Sequence, residues 1–321
     1  MAMLALPDEL LLEIFNNLFL PPPPSPPSGD PKRHCAEGAA LPKVCRRFHR
    51  LATPGLYTHL DVHFTDAESG DPTYSAKLLH RTLDENSNLH HYCRSLRLIL
   101  PDPDYQSQGL PLNRASRPVR DALLMAFNIT AWLKNTTNLF ISGYFSHSRT
   151  HSVSLALVDS VGKHMPRLEK LSIGKQVWLE RVWYILREIK QLRSLEIGIG
   201  VSATNKHPRS KFIGSSAITS LSVDYLLAPP LNLERLLLVP EALEHFTFRG
   251  MYPGCYWSWP LSQMITAVER HQTSLRTLQV ASGRASGDAT NDHSLEDEVD
   301  DVDLSGFTQL EGIQFVAAPV E

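Results

Sequence analysis

Apolar residues recur along the chain at two different spacings, and the change from one to the other divides it. Over Leu6–Leu20 (LPDELLLEIFNNLFL), Leu10, Ile14 and Leu18 fall four apart, and Leu11 and Phe15 do the same one position on. That spacing predicts a helix with a broad apolar face. Pro7 is tolerated in a first turn, where its missing N–H would be unpaired anyway, and Asp8 and Glu9 suit the positive end of the helix dipole. Over Leu41–Val62, one helical face carries Leu41, Val44, Cys45, Phe48, Leu51 and Ala52, and the other carries Lys43, Arg46, Arg47, His49 and Arg50. Pro54-Gly55 predicts the end of this second helix. Loose alternation from Leu56 to Phe64 predicts a short strand leaving the helices. Tyr74–Leu89, with Leu78, Leu79 and Leu83 clustered, predicts a helix ending at Asn86–Asn88.

Further on, the pattern apolar-x-x-apolar-x-apolar repeats. It runs as Leu168/Leu171/Ile173, Leu192/Leu195/Ile197, Ile218/Leu221/Val223, Leu243/Phe246/Phe248, Leu275/Leu278/Val280 and Leu310/Ile313/Phe315, with weaker copies ending in Leu96/Leu98 and Leu139/Ile141. The central anchors Leu171, Leu195, Leu221 and Phe246 lie 24, 26 and 25 residues apart, and the steps to Leu278 and Ile313 lengthen to 32 and 35. A period of about 20–29 residues with one short strand per unit is the leucine-rich-repeat signature. An ordinary α/β domain with parallel strands shares the alternation, but the near-constant step favours a solenoid. Covering helices are predicted over Pro118–Leu133 (Val119, Leu123, Leu124, Phe127, Trp132), Val153–Met165 (Leu155, Val158, Val161), Val177–Leu192 (Trp178, Leu179, Val182, Ile185, Ile189), Asn232–Val239 and Leu261–His271. Three residues after the last strand anchor, regular repeats place Asn or Cys against the turn backbone. Here the residues are Gln176, Gly200, Leu226, Met251 and Gly283, so that ladder is absent and the curvature is expected to be irregular.

Composition narrows the classes without naming one. At 321 residues with 42% hydrophobic and 20% charged residues the chain is expected to fold as about two domains. A net charge of −3 argues against general affinity for nucleic acid. Cys35, Cys45, Cys93 and Cys255 are scattered without regular spacing, which suits a reducing compartment. The first apolar run is broken by Asp8, Glu9 and Glu13 and ends in prolines, so neither a signal peptide nor a membrane span is expected and the localisation expected is cytoplasmic, nuclear or both. No phosphate-binding Gly-Lys-Ser/Thr loop, Gly-x-Ser-x-Gly elbow or paired-His zinc helix is present. His34, Cys35, Cys45 and His49 match no standard zinc spacing, and His90-His91 with Cys93 reads as surface and core. No catalytic residue, metal or cofactor is expected. Met251–Pro260 (MYPGCYWSWP) reads as a structured aromatic loop folded back over the repeats rather than as a partner anchor, and Ser282–Val302, with Glu296, Asp297, Glu298, Asp300 and Asp301, as a solvated acidic loop. The chain stops just after an apolar strand without a polar capping unit, which predicts a truncated array or an oligomer contact there.

The opening helices resemble the F-box, an adaptor-binding module of ubiquitin ligases. The resemblance rests on Leu-Pro-x-Glu-Leu-Leu-x-x-Ile-Phe-x-x-Leu at Leu6–Leu18 and Val-Cys-Arg-Arg-Phe-His-x-Leu-Ala at Val44–Ala52, with Thr53-Pro54-Gly55-Leu56-Tyr57 similar to fungal members. It departs from the family at Pro21–Ala40, a proline-rich insert expected to be extended or disordered. Together with the repeats, the chain resembles F-box proteins with leucine-rich-repeat-like bodies. The implied fold class is α/β: an F-box helical module over 1–62, with the insert at 21–40, then an irregular solenoid with parallel strands over 63–321, with the acidic loop at 284–303.

That resemblance implies a non-catalytic substrate receptor of a Skp–cullin–F-box ubiquitin ligase. The partners implied are the Skp-type adaptor, through it the cullin–RING ligase, and a protein substrate whose identity is not encoded legibly. A non-degradative scaffold that recruits no cullin is the alternative. Carried over by the motif, the adaptor-facing or module-core positions are Leu6, Pro7, Leu10, Ile14, Phe15, Leu18, Val44, Cys45, Phe48 and Leu51. In leucine-rich repeats the side chains between strand anchors point to the concave face, which nominates Lys170, Ser172, Ser194, Glu196, Ser220, Ser222, His245, Thr247, Thr277 and Gln279 for substrate binding.

Overall fold

A computed structural model describes residues 6–19, 41–64, 74–100, 117–142, 157, 160–177, 179–199, 213–226, 230–249, 261–282 and 306–317. The insert at 21–40, the aromatic loop at 251–260 and the acidic loop at 284–303 lie outside these residues. In chain order come α1 (Asp8–Phe19), a 3-10 turn (Leu41–Lys43), α2 (Arg46–Thr58), β1 (His59–His63), α3 (Tyr74–Glu85), a 3-10 turn (Ser87–His91), β2 (Ser95–Ile99), α4 (Arg117–Trp132) and β3 (Asn138–Ser142). After a helical stretch at 160–164 follow β4 (Lys170–Val177), α5 (Leu179–Glu188), β5 (Ser194–Ile199), β6 (Ser220–Leu226), α6 (Pro230–Leu237), β7 (His245–Arg249), α7 (Leu261–Val268), a 3-10 turn (Glu269–His271), β8 (Thr277–Ser282) and β9 (Gly312–Ala317).

The strands form one sheet in strict chain order, β1 to β9, and every pairing is parallel. Parallel neighbours cannot be joined by a tight turn, so the chain crosses back between them, mostly through a helix. The register aligns like with like. One row runs Leu60, Leu96, Leu139, Leu171, Leu195, Leu221, Phe246, Leu278, Ile313, and a second runs Val62, Leu98, Ile141, Ile173, Ile197, Val223, Phe248, Val280, Phe315. Residues from Leu96 to Leu278 in the first row and from Val62 to Val280 in the second are buried with the helix residues Ala122, Ile129, Val182, Ile185, Leu233 and Val268 in one apolar core. The sheet is therefore greasy on its helix side and polar on the other, because alternate strand residues point to opposite faces. The solenoid-like α/β order expected from the spacing is present.

Before each strand from β3 to β9 a single carbonyl sets the register. The Arg94 carbonyl accepts the N–H groups of Thr137 and Asn138, that of Thr137 accepts Glu169 and Lys170, and that of Glu169 accepts Arg193 and Ser194. The same double acceptance recurs at Arg193, Thr219, Glu244 and Arg276. The other ends of the strands are less regular. Register shifts fall between Ile173 and Gln176 in β4 and between Gly198 and Ile199 in β5, close to two of the turns that lack the Asn or Cys.

The structure corrects four expectations. Pro54-Gly55 does not end α2, which runs on to Thr58. A proline inside a helix costs one backbone hydrogen bond, but the helix continues because Tyr57 and Leu60 pack onto the main core and Thr58 Oγ1 donates to the Pro54 carbonyl at 2.8 Å. β1 belongs to the sheet, so the boundary drawn at 62/63 falls inside a strand. The two copies that read as weak are full members, with Cys93 and Thr136 at the position that later units fill with Leu or Ile, and Tyr57 holds the same place ahead of β1. Cys93 and Thr136 are both fully buried, and Thr136 Oγ1 donates to the Leu133 carbonyl at 2.8 Å and to Cys93 Sγ at 3.7 Å. Last, α4 turns Ala122, Met125, Ala126 and Ile129 inward and leaves Leu124 exposed, since small residues let the helix lie close to the sheet.

Burial pushes the Cys93 thiol up to about 11 against the weaker opposing pulls of its Thr136 and Ser95 hydrogen bonds and the Arg94 charge. The thiolate is the reactive form, so iodoacetamide should label Cys93 only after denaturation, whereas half-buried Cys45 should label in the native protein. Peptide mapping by mass spectrometry reads both.

His271 ties two neighbouring units together. It is buried; Nε2 donates to the Leu237 carbonyl at 2.8 Å, and Nδ1 accepts the Leu243 N–H at 3.4 Å, which is the neutral tautomer. Burial holds its pKa below the usual value, the Leu237 bond opposes this, and the Arg270 charge adds to it. The unfolded chain takes up the proton near pH 6.5, while the folded chain resists it to lower pH. This stabilising contribution is whole above about pH 6.5 and is lost as the pH falls through the folded value. The drop in Tm between about pH 7.5 and pH 5 should therefore be smaller in His271→Gln than in the wild type.

Candidate docking surface

The two N-terminal helices form a small core of their own. Leu11 and Phe15 of α1 pack on Phe48, Leu51 and Ala52 of α2, with Leu6 and Cys45 partly buried against them. The Phe15 and Phe48 rings meet edge to face, with centroids 5.3 Å apart, a favoured aromatic geometry. This cluster is separate from the core under the sheet. α2 belongs to both, through Phe48 and Leu51 near its start and Tyr57 near its end.

Using one face of α1 for that seam leaves a second apolar face unpartnered. Leu10 is 46% exposed and Ile14 36%, while Leu11 and Phe15 beside them are 0% and 1% exposed. Pro7 is exposed at the start of the same stripe. Val44, in the turn before α2, is 62% exposed. The adaptor-binding candidates therefore divide. Phe15, Phe48 and Leu51 are core and offer no face to a partner, Leu6 and Cys45 are half-buried, and Pro7, Leu10, Ile14 and Val44 face outward. The Leu18 side chain lies outside the described residues. Leu12, also exposed, was not singled out in the sequence, where it lies off both of the four-apart series. Asp8, in the first turn of α1, is bound by Arg47 and Arg50 of α2.

The ten substrate-binding candidates come together in two adjacent rows on the polar face of the sheet. Lys170, Ser194, Ser220, His245 and Thr277 are cross-strand partners in one, and Ser172, Glu196, Ser222, Thr247 and Gln279 in the other. Lys170 and His245 are exposed, Ser172 is buried, and the others are half-buried. Neighbours pair along the rows: His245 Nδ1 lies 2.9 Å from Thr277 Oγ1, and Thr247 Oγ1 donates to Gln279 Oε1 at 3.3 Å. Ser222 Oγ is buried without a hydrogen-bond partner among the described residues.

The same two rows extend back through Asn138 and Phe140, Ser95 and Arg97, and His59 and Asp61. There Arg97 sits 4.9 Å above the Phe140 ring and 3.7 Å from Asp61, whose other oxygen lies 3.0 Å from His63 Nε2. These residues were missed because the first anchor ahead of their strands is Tyr57, Cys93 or Thr136 rather than Leu or Ile. The charges along the two rows among the described residues, Asp61, Arg97, Lys170 and Glu196, balance.

Among the described residues no group of three or more His, Cys, Asp or Glu could hold a metal ion, and no helix is long and apolar enough to cross a membrane. No family model matches the chain. No curated protein matches it either.

Proposed function

We propose that this chain is an F-box protein with a leucine-rich-repeat-like body, acting as the substrate-recognition subunit of a Skp–cullin–F-box ubiquitin ligase in the cytoplasm, the nucleus or both. The observation that carries the reading is the division of α1 into a buried and a bare apolar side. A stable two-helix seam that leaves Leu10, Ile14 and Val44 in water has the form of a docking surface, since burying a large apolar side chain is worth about 1.5–3 kcal/mol. The motif residues of the family lie on those helices or just ahead of them, and the ordered sheet that follows supports the second half of the resemblance.

On this reading the chain makes and breaks no bonds. The helices bind the Skp-type adaptor, the adaptor joins the cullin–RING ligase, and the polar rows hold a protein substrate beside the ubiquitin-loaded enzyme. The gain is one of proximity, which raises the effective concentration of substrate lysines at a separate catalyst. Affinity purification of the tagged full chain tests it. Adaptor and cullin should both co-purify, with ubiquitylated proteins accumulating when the proteasome is inhibited. Adaptor without cullin would indicate the non-degradative scaffold, and neither protein would overturn the reading.

A further inference from the structure

The first turn of α1 is held by a polar clamp from α2. Arg47 donates from Nε to Asp8 Oδ1 at 2.7 Å and from Nη2 to the Leu6 carbonyl at 2.6 Å. Arg50 donates from Nη2 to Asp8 Oδ2 at 2.7 Å. One planar guanidinium thus bridges a carboxylate and a backbone carbonyl two residues upstream, while a second arginine takes the remaining carboxylate oxygen. A lysine could not span both acceptors, because the bridge needs donors fixed in one plane.

We propose that Arg47, with Arg50 behind it, is a positioning residue for adaptor docking: it fixes Leu6 and Pro7 at the head of the bare stripe that continues through Leu10 and Ile14. This rests on the F-box reading above. Leu6 and Pro7 precede the helix, so apart from Leu6's packing their placement depends on the Leu11 N–H bond to the Pro7 carbonyl, at 3.2 Å, and on the clamp. Helix ends without such ties fray. The clamp itself adds little to folding. The side chains of Arg47 and Asp8 are 33% and 36% exposed and that of Arg50 is 70% exposed, and exposed ion pairs contribute little to stability. Folding of the helix pair rests on the Phe15–Phe48 seam. What the clamp supplies is a docking edge ordered before the partner arrives, which spares the complex the cost of ordering it.

The test measures adaptor affinity, amide exchange at Asp8–Leu11 in the free protein, and Tm, for the full chain and its variants. Arg47→Ala is expected to weaken binding of the purified Skp-type adaptor about ten- to thirtyfold, to speed amide exchange at Asp8–Leu11, and to leave Tm nearly unchanged. Arg47→Lys should restore only part of the affinity. Asp8→Asn, which keeps side-chain size, should weaken binding without unfolding the helices, and combining it with Arg47→Ala should cost little more than Arg47→Ala alone. Wild-type affinity in both Arg47→Ala and Asp8→Asn would overturn the clamp's role and leave the F-box reading standing. Additive losses in the double variant, or a fall in Tm that tracks the loss of binding across the series, would reduce the clamp to a structural contact. A wild-type chain that does not bind the adaptor would overturn both readings.

Discussion

Leu10→Arg together with Ile14→Arg is expected to abolish adaptor capture while leaving far-UV circular dichroism and Tm almost unchanged. Leu10 and Ile14 are 46% and 36% exposed on the outer side of α1, so the free protein has much less packing to lose there than at Phe15. A complex would lose two apolar contacts of about 1.5–3 kcal/mol each and gain two charges to desolvate. That amounts to at least a hundredfold, on the scale where about 1.4 kcal/mol is tenfold. The natural control lies one residue along. Phe15→Ala removes a ring that is 1% exposed and should cost about 3–5 kcal/mol of stability, so its loss of binding would come with loss of the helix pair. If Leu10→Arg/Ile14→Arg still captures the adaptor at wild-type strength, the stripe is not the docking surface.

The second large effect is expected in the sheet. Phe246→Ala should destabilise the repeat body by about 3–5 kcal/mol, the range for deleting a buried ring. Phe246 is fully buried and lies in register between Leu221 and Leu278, so the cavity would open in the middle of the row. In an array where each unit touches only its neighbours, damage spreads outward from the break. Hydrogen exchange should therefore quicken first in β6, β7 and β8, with β1 and β2 affected last. Denaturation monitored by fluorescence and exchange would show this; a loss below about 1 kcal/mol would mean that neighbouring side chains refill the space.

Much of the sheet was legible in the sequence because the apolar-x-x-apolar-x-apolar spacing is itself the cross-strand register: Leu171, Leu195, Leu221, Phe246 and Leu278 align as their spacing requires. Legibility failed where chemistry replaced hydrophobicity at one anchor. Thr136 and Cys93 are as fully buried as any leucine; the Leu133 and Ser95 carbonyls and their own mutual contact satisfy their polar atoms, and the last of these, across 43 residues, leaves no local trace. Pro54 failed for a related reason. Its local cost is set against long-range packing of Tyr57, and single-sequence spacing contains only the first. On α1 both four-residue series are apolar, so the sequence cannot say which series meets α2 and which meets solvent. The crossing of the two helices decides it, selecting Leu11 and Phe15 for the seam.

The twice-used carbonyls ahead of the strands also determine where the chain can change length. Between helix and following strand the connections are brief, as from Trp132 to Asn138, Glu188 to Ser194 and His271 to Thr277, whereas Ile99 and Arg117 or Arg249 and Leu261 are far apart in the chain. A residue added on the first side would pull an N–H pair off its acceptor and shift the next strand, flipping its side chains between core and solvent. Residues added on the opposite rim, where a connection is long, do not involve those carbonyls. Extra length can therefore accumulate along one margin of the molecule while the other keeps its lengths.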